Sequence, residues 1–190
     1  MEPHSLNFER TLAWLCAPSL AGIKPADLIS YHPEEGDPAD LPARYDRMLS
    51  ARGIRVRVLK ACPRTGAWMI YLYREAWITR ILCQPEIQDF LRRQGYRPEE
   101  GCQAMLTRLS RRLCLEEDYP HEIGVFLGYP LEDVEGFIRH RGRDFTCCGY
   151  WKVYGDAAAA QRRFDCYRRC TRICLERLRR GTALTKLIAA

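Results

Sequence analysis

The sequence lacks a hydrophobic run long enough to cross a membrane. No segment of its 190 residues approaches the roughly 18 consecutive apolar residues of a membrane-spanning helix. The opening sequence MEPHSLNFER also lacks the charged and then apolar pattern of a secretory signal. These absences predict a cytoplasmic protein with no membrane partner.

Several binding motifs are absent as well. Gly124 and Gly128 fit neither GxGxxG nor GxxxxGK[ST], so the sequence does not predict a nucleotide-phosphate loop. Although the chain has ten cysteines, it has no CxxC pair, which counts against an ordinary zinc or iron–sulfur site. The spacing is also not that of a small secreted disulfide scaffold, so we expect reduced thiols, many of them small core hydrophobes. The sequence identifies no cofactor.

Lysine is scarce, since only four of the 30 basic residues are lysines. Residues 139–190 carry 13 basic and four acidic residues, against a formal net charge of +6 for the whole chain. Five arginines of the last predicted helix form a candidate surface for an anionic partner: Arg162, Arg169, Arg172, Arg179 and Arg180. The alternative, a solvated helix face, is favoured because no nucleic-acid motif accompanies them, and nucleic acid is not an expected partner.

The order of predicted elements indicates an α+β fold, with a hydrophobic content of 47% that suits a globular chain. Helices are predicted from an Asn7 cap to Ala21 with a break near Ala17, and over residues 43–51, 75–83, 85–94, 99–115, 130–142 and 156–180. Strands are predicted over residues 24–31, 54–61, 67–73, 122–127 and 146–154. We therefore expect a single domain over residues 1–190, in which helices and a long C-terminal helix cover a mixed sheet of four or five strands.

Two sequence blocks carry a family resemblance. The first is CAPSLAGIKPA, from Cys16 to Ala26, and the second is PHEIGVFLGYPLEDV, from Pro120 to Val134, followed by GYWKVY, from Gly149 to Tyr154. In these blocks and their order, nearly the whole chain resembles the bacterial family DUF3793, known mainly from Clostridia. The resemblance implies a cytosolic protein of unknown function. Relatives often have histidine directly before the first-block cysteine, where this chain has Leu15.

The leading functional hypothesis is a non-catalytic accessory protein that binds a small ligand or a protein partner. Strand alternation places Tyr150, Lys152 and Tyr154 on one face. A lysine between tyrosines suits an anionic ligand or a flat ring. We expect these residues, with Lys24 and Glu122, to line a pocket near Cys16 and His121, although a half-buried strand with an extended lysine side chain explains the same pattern.

Thiol catalysis is the first alternative. A cysteine on a helix and a histidine beside a strand are the layout of papain-like thiol enzymes, in which the imidazole holds the thiolate. Cys16 and His121 are the candidate pair, with Glu122 as a possible orienting group. A core thiol and a surface histidine explain the same residues without catalysis.

Metal or redox handling is the second alternative. Cys147 and Cys148 are adjacent, and Cys166, Cys170 and Cys174 recur every fourth residue along one helix. Thiolates select soft metals, but adjacent cysteines on a strand point apart and the helical cysteines share a face with apolar residues. Core packing is therefore the simpler interpretation, and no metal site is predicted.

Overall fold

The computed structural model describes the backbone of residues 3–189 and the side chains of residues 7–189. These residues form two compact units. One comprises Met1–Ala76 with Tyr167–Ala190 and is called the sheet unit; the other comprises Trp77–Cys166 and is called the hairpin unit. The single domain predicted for residues 1–190 stays a prediction beside this division. No helix within the described residues is long and apolar enough to span a membrane.

The sheet unit is built on three antiparallel strands. Its elements are α1 Pro3–Leu15, α2 Ala17–Leu20, β1 Ala26–Tyr31, α3 Leu41–Ser50, β2 Ile54–Ala61, β3 Trp68–Arg74 and the C-terminal part of α9 Ala157–Arg179. The strand order is β1-β3-β2, so β3 is central. Along β2, Ile54 and Val56 are buried while Arg55 and Arg57 are partly exposed, the alternation of a half-buried strand.

A single core holds this unit together. Phe8 and Leu12 of α1, Leu72 of β3 and Cys174 of α9 are among its buried members. At its edge the Arg74 guanidinium donates hydrogen bonds to the carbonyls of Ser19 and Leu20, both at 2.8 Å, and of Ala189 at 3.2 Å. These bonds satisfy carbonyls at the end of α2 and fasten the last described residues to the sheet.

The hairpin unit is mostly helical. Its elements are most of α4 Glu75–Leu82, then α5 Pro85–Arg93, α6 Cys102–Leu115, α7 Ile123–Phe126, α8 Leu131–His140, β4 Cys147–Cys148, β5 Lys152–Val153 and the N-terminal part of α9. The two short strands pair antiparallel, with Cys148 opposite Lys152. A short 3-10 turn over Pro98–Glu100 precedes α6 and ends at Gly101, where φ is +85°.

The α+β class is confirmed, but the predicted sheet of four or five strands is wrong. The described strands form one three-stranded and one two-stranded sheet. Residues 122–127, predicted as a strand, contain helix α7, in which all four residues are buried. A short apolar run is consistent with either a buried strand or a buried helix, because burial on every side removes the periodicity that separates them. Residues 146–154, predicted as one strand, form two strands around a turn at Gly149 and Tyr150.

The helix ends agree better with the sequence. The long C-terminal helix is confirmed as α9, and the Asp156 carboxylate accepts a hydrogen bond from the Ala159 N–H at 2.9 Å, as an N-cap does. The break expected near Ala17 occurs at Cys16. Asn7 was predicted to cap the first helix, but it lies inside α1, which already begins at Pro3.

The contact between α7 and α8 depends on a glycine. A methyl group on Gly124 would lie 2.7 Å from Cγ2 of Val134 and 3.2 Å from Cδ2 of Tyr129. Only a residue without a side chain therefore allows α7 to approach α8 this closely.

We expect Gly124→Ala to destabilise the protein by about 1–3 kcal/mol, because the added methyl overpacks this contact. In a Val134→Ala background the obstructing Cγ2 is gone and Cβ of residue 134 would lie 3.7 Å away, so the same substitution should cost clearly less, with only the 3.2 Å approach to Tyr129 Cδ2 remaining. Urea unfolding of the four proteins in this cycle measures the effect. Equal costs of Gly124→Ala in both backgrounds would contradict the proposed contact.

Candidate functional site

The hairpin unit contains a cavity of about 300 Å³, which we call the aromatic cavity. Three stretches of chain enclose it: the start of α7, the segment from Tyr129 through α8, and the turn between β4 and β5. Its lining residues are His121, Ile123, Gly124, Tyr129, Asp133, Val134, Phe137, Cys148, Gly149, Tyr150, Trp151 and Lys152.

A buried carboxylate holds the hairpin against α8. Asp133 lies in the first turn of α8 and is only 3% exposed. It accepts hydrogen bonds from Trp151 Nε1 at 2.7 Å, from the Tyr154 N–H at 2.7 Å and from the Gly155 N–H at 2.9 Å. Such charge-assisted bonds are stronger than neutral ones, so Asp133 fixes the position of the β4–β5 hairpin relative to α8.

The Trp151 indole is held from other directions as well. Its ring stacks on Tyr129 with centroids 4.8 Å apart and an interplanar angle of 25°. It meets Phe164 of α9 edge-on at 4.5 Å. The Tyr129 hydroxyl also donates a hydrogen bond to the Tyr150 carbonyl at 3.3 Å. One wall of the aromatic cavity is therefore rigid before any ligand enters.

Lys152 is the lysine that lines the cavity. Its ammonium donates a hydrogen bond to the Gly142 carbonyl at 2.7 Å and lies 5.6 Å from the Phe137 ring centroid and 4.9 Å from that of Phe145. The rings stabilise the charge without neutralising it. An ammonium has three donors, so this one carbonyl does not exhaust its capacity for hydrogen bonds.

A histidine and a thiol complete the rim. His121 is exposed and its ring packs on Phe137, with centroids 4.7 Å apart, and on Tyr119, at 5.6 Å. Cys148 is an exposed free thiol. Among the predicted site residues, the structure thus brings together His121, Tyr150 and Lys152, and adds Cys148 from the cysteine set.

Glu122 and Tyr154, also predicted to bind ligand, do not line this cavity. Glu122 is buried and accepts hydrogen bonds from the Tyr96 hydroxyl at 2.7 Å and from Arg112 at 2.6 Å. Burial, with this carboxylate beside it, raises the pKa of Tyr96. Tyr154 stacks on His140 at 5.5 Å, and burial raises the pKa of its hydroxyl.

Lys24 and Cys16 belong to the sheet unit, whereas His121 belongs to the hairpin unit. Lys24 forms a buried ion pair with Asp27, whose carboxylate also accepts a hydrogen bond from the Ser19 hydroxyl at 2.7 Å. Burial raises the pKa of Asp27. The fully buried Cys16 has a raised thiol pKa because burial, and then the Asp27 charge, disfavour the thiolate. Burial therefore opposes the nucleophilic role of Cys16, and the Cys16–His121 pair stays a prediction.

The clustered cysteines have different surroundings. On α9, Cys166 is exposed, Cys170 is half-buried and Cys174 is buried in the sheet-unit core; Cys147 is half-buried on β4. A hydrogen bond with Cys170 lowers the pKa of Cys174. Over the residues that the structure describes, no group of three or more His, Cys, Asp or Glu side chains is placed to hold a metal ion.

The five arginines of the predicted anionic-partner surface are all exposed. Arg180 pairs with Glu176 one turn earlier. Arg179 lines a separate groove with residues of α1. Binding of an anionic partner by this surface stays a prediction.

Four residues that line the site were not predicted from the sequence: Tyr129, Asp133, Phe137 and Trp151. Trp151 is buried and still lines the aromatic cavity. Tyr129 and Asp133 lie inside the second family-like block, and that block was the available signal.

Cys62 was also overlooked. It lies in the turn between β2 and β3, where hydrogen bonds from the Thr65 hydroxyl and from the backbone N–H groups of Thr65 and Arg64 lower the pKa of its thiol to about 7. A lowered pKa favours the thiolate, which is the nucleophilic form of cysteine, near neutral pH.

Comparison with known families gives one match. A sequence model described as "Protein of unknown function (DUF3793)" matches residues 12–188. Comparisons with curated proteins and with solved structures gave no significant match.

We expect Asp133→Asn to lower the free energy of unfolding by about 2–4 kcal/mol, because buried donors lose a charged acceptor. Glu132→Gln is the matched control: it removes a negative charge from the same helix turn, but at an exposed site. It should cost at most about 1 kcal/mol. Denaturant unfolding measures the free energy of unfolding of both variants. If the two variants lost similar amounts, the contribution of Asp133 would be a helix-dipole effect only.

We expect the rate of Cys62 alkylation by iodoacetamide to rise with pH and to reach half its maximum near pH 7. Thr65→Val should shift this midpoint upward, since the hydroxyl that stabilises the thiolate is removed, whereas Thr65→Ser should keep it. Peptide mapping by mass spectrometry separates Cys62 from the other thiols. An unchanged midpoint in Thr65→Val would refute the assigned cause.

Proposed function

The chain belongs to the DUF3793 family, and from the geometry of its hairpin unit we propose that it is a binding protein for a small planar ligand with a negative charge. The observation that carries this proposal is the aromatic cavity, which several aromatic side chains and one lysine line. Pockets for small molecules are typically concave and mostly apolar, with a few polar groups that orient the ligand.

The aromatic side chains that line the cavity favour a planar ligand. Tyr129, Phe137, Tyr150 and Trp151 offer aromatic surface to one cavity. Aromatic rings pack favourably against a flat ring, in offset or edge-on geometry. The cavity volume of about 300 Å³ is at the lower end of the range for ligand pockets, which suits one ring or two fused rings rather than a dinucleotide.

The charge preference follows from Lys152. The Asp133 carboxylate also borders the cavity, but it is engaged by three donors of the hairpin. Lys152 forms no ion pair among the described side chains, so its charge is uncompensated by a carboxylate. A carboxylate or sulfonate on the ligand would complete this pairing.

Preorganisation supports binding as well. The Trp151 indole is held by Asp133, Tyr129 and Phe164, so little ordering of the wall accompanies binding. Less ordering leaves more of the contact energy as affinity.

A second candidate is thiol chemistry in the same cavity. Cys148 and His121 both line it, and a thiol with an imidazole nearby is the minimum of a nucleophilic site. The alternative formulated for Cys16 and His121 would then use Cys148 instead. His121→Gln should slow the alkylation of Cys148 at neutral pH if imidazole activates the thiol, and an equal rate would remove this candidate.

The binding proposal can be tested with two fluorescent naphthalene probes, each of two fused rings, that differ in charge: anionic 2-naphthalenesulfonate and its uncharged analogue 2-naphthalenesulfonamide. We expect both to bind once per chain. Lys152→Met should weaken the sulfonate probe roughly fivefold, as for a partly exposed ion pair, and leave the neutral probe unchanged. Tyr150→Ala should weaken both probes, because it removes ring surface.

Lys186→Met is the control, since Lys186 is an exposed lysine of the sheet unit. It should change neither affinity. Failure of both probes to bind the native protein would overturn the proposal of a ring pocket. An equal loss of both probes in Lys152→Met would overturn the assignment of charge recognition to Lys152.

A further inference from the structure

The sheet unit carries a second concave surface, independent of the aromatic cavity. It is a groove of about 720 Å³ lined by Asn7, Arg10, Thr11 and Trp14 of α1 and by Leu175, Leu178 and Arg179 near the end of α9. We call it the α1–α9 groove. The opposite face of α1 packs into the core through Phe8 and Leu12, so the two faces of α1 have distinct roles.

The spacing of the α1 residues makes one continuous strip. Positions 7, 10, 11 and 14 follow the helical repeat and therefore share a face. The strip extends for about 10 Å along the helix, or roughly two turns. A groove of this kind fits a helix that inserts apolar side chains at a spacing of three and four residues.

Trp14 is the feature that points to a partner. Its side chain is 60% exposed, whereas Phe8 on the other face of α1 is fully buried. Exposed tryptophan beside arginine is the composition that dominates binding energy at protein interfaces. Leu175 and Leu178 supply the apolar floor on which a partner's side chains would rest.

The charge of the rim indicates the character of that partner. Arg10 and Arg179 line the groove, and none of its lining residues within the described part of the chain is acidic. The neighbouring Glu176 is paired with Arg180. A partner with aspartate or glutamate beside its apolar stripe would match these charges, which favours association and orients the bound segment.

We propose that the α1–α9 groove binds an acidic amphipathic helix of another protein, with Trp14 as the central contact and Arg10 and Arg179 as its charged rim. The occupant is defined by this chemistry: an apolar stripe at helical spacing, flanked by carboxylates. It differs from the planar ligand proposed for the hairpin unit, and neither proposal depends on the other.

The test uses two labelled peptides of about 14 residues, roughly four helical turns. Both carry leucines at i, i+3, i+4 and i+7; one has glutamates at the flanking positions and the other has lysines. Fluorescence anisotropy with the full chain should show binding of the acidic peptide, weakened by added salt, and at least tenfold weaker binding of the basic one.

Three variants locate the site. Trp14→Ala should weaken the acidic peptide at least tenfold, as loss of a central contact does. The double variant Arg10→Glu with Arg179→Glu should reverse the preference to the basic peptide. Arg52→Glu, an exposed position of the sheet unit outside the groove, should keep the original preference. Because Trp14 is exposed, the variant should fold normally, which circular dichroism checks.

Equal binding of the two peptides, no binding of either, or an unchanged affinity in Trp14→Ala would each overturn the proposal. Sedimentation of the chain alone distinguishes the other occupant. A dimer that Trp14→Ala converts to a monomer would show that a second copy fills the groove, and would overturn the assignment of a different partner. Lys152→Met should leave peptide binding unchanged. A failure of the groove proposal is therefore distinguishable from a failure of the ligand proposal for the aromatic cavity.

Discussion

The hairpin unit depends on one buried carboxylate. Asp133 gathers an indole N–H and two backbone N–H groups that would otherwise be buried without acceptors. By holding Trp151 it also sets the position of Tyr129, which stacks on that indole. Lys152, which follows Trp151 in the chain, then reaches the Gly142 carbonyl and the Phe137 ring. A two-stranded hairpin is marginally stable by itself, so this anchor gives the cavity its shape.

The sequence predicted best those elements whose pattern is periodic. The alternation in residues 54–61 identified β2, and the Asp156 cap identified the start of α9. The strand predicted over residues 122–127 was wrong because every residue of α7 is buried, which leaves no polar face to reveal a helical period. The single strand predicted over residues 146–154 was wrong because Gly149 lies in the turn between two short strands. A methyl group at Gly149 would lie 2.3 Å from Phe164, a constraint set by a residue 15 positions away that no local pattern contains.

The candidate site was predictable in part. His121, Tyr150 and Lys152 came from a family-like block and from alternation, and they line one cavity. Lys24 and Cys16 came from a different block, and they form a buried polar cluster of the sheet unit with Ser19 and Asp27. Glu122 has its role set by Tyr96 and Arg112, which lie 26 and 10 residues away along the chain. The type of a residue indicates what chemistry it can perform, but its tertiary partners decide whether that capacity is already used.

The hydrogen bond from Arg74 to the Ala189 carbonyl has a consequence for synthesis on the ribosome. Arg74 and Ala189 are 115 residues apart, so the sheet emerges long before the segment that closes it. At typical translation rates this delay is roughly 6 to 20 s. During that time the hairpin unit, which is one continuous stretch of chain, can complete its folding, whereas the core of the sheet unit still lacks Cys174, Leu184, Leu187 and Ile188. A nascent chain of this protein is therefore most exposed to aggregation through the apolar surface of the early-made part of the sheet unit that these four late residues cover.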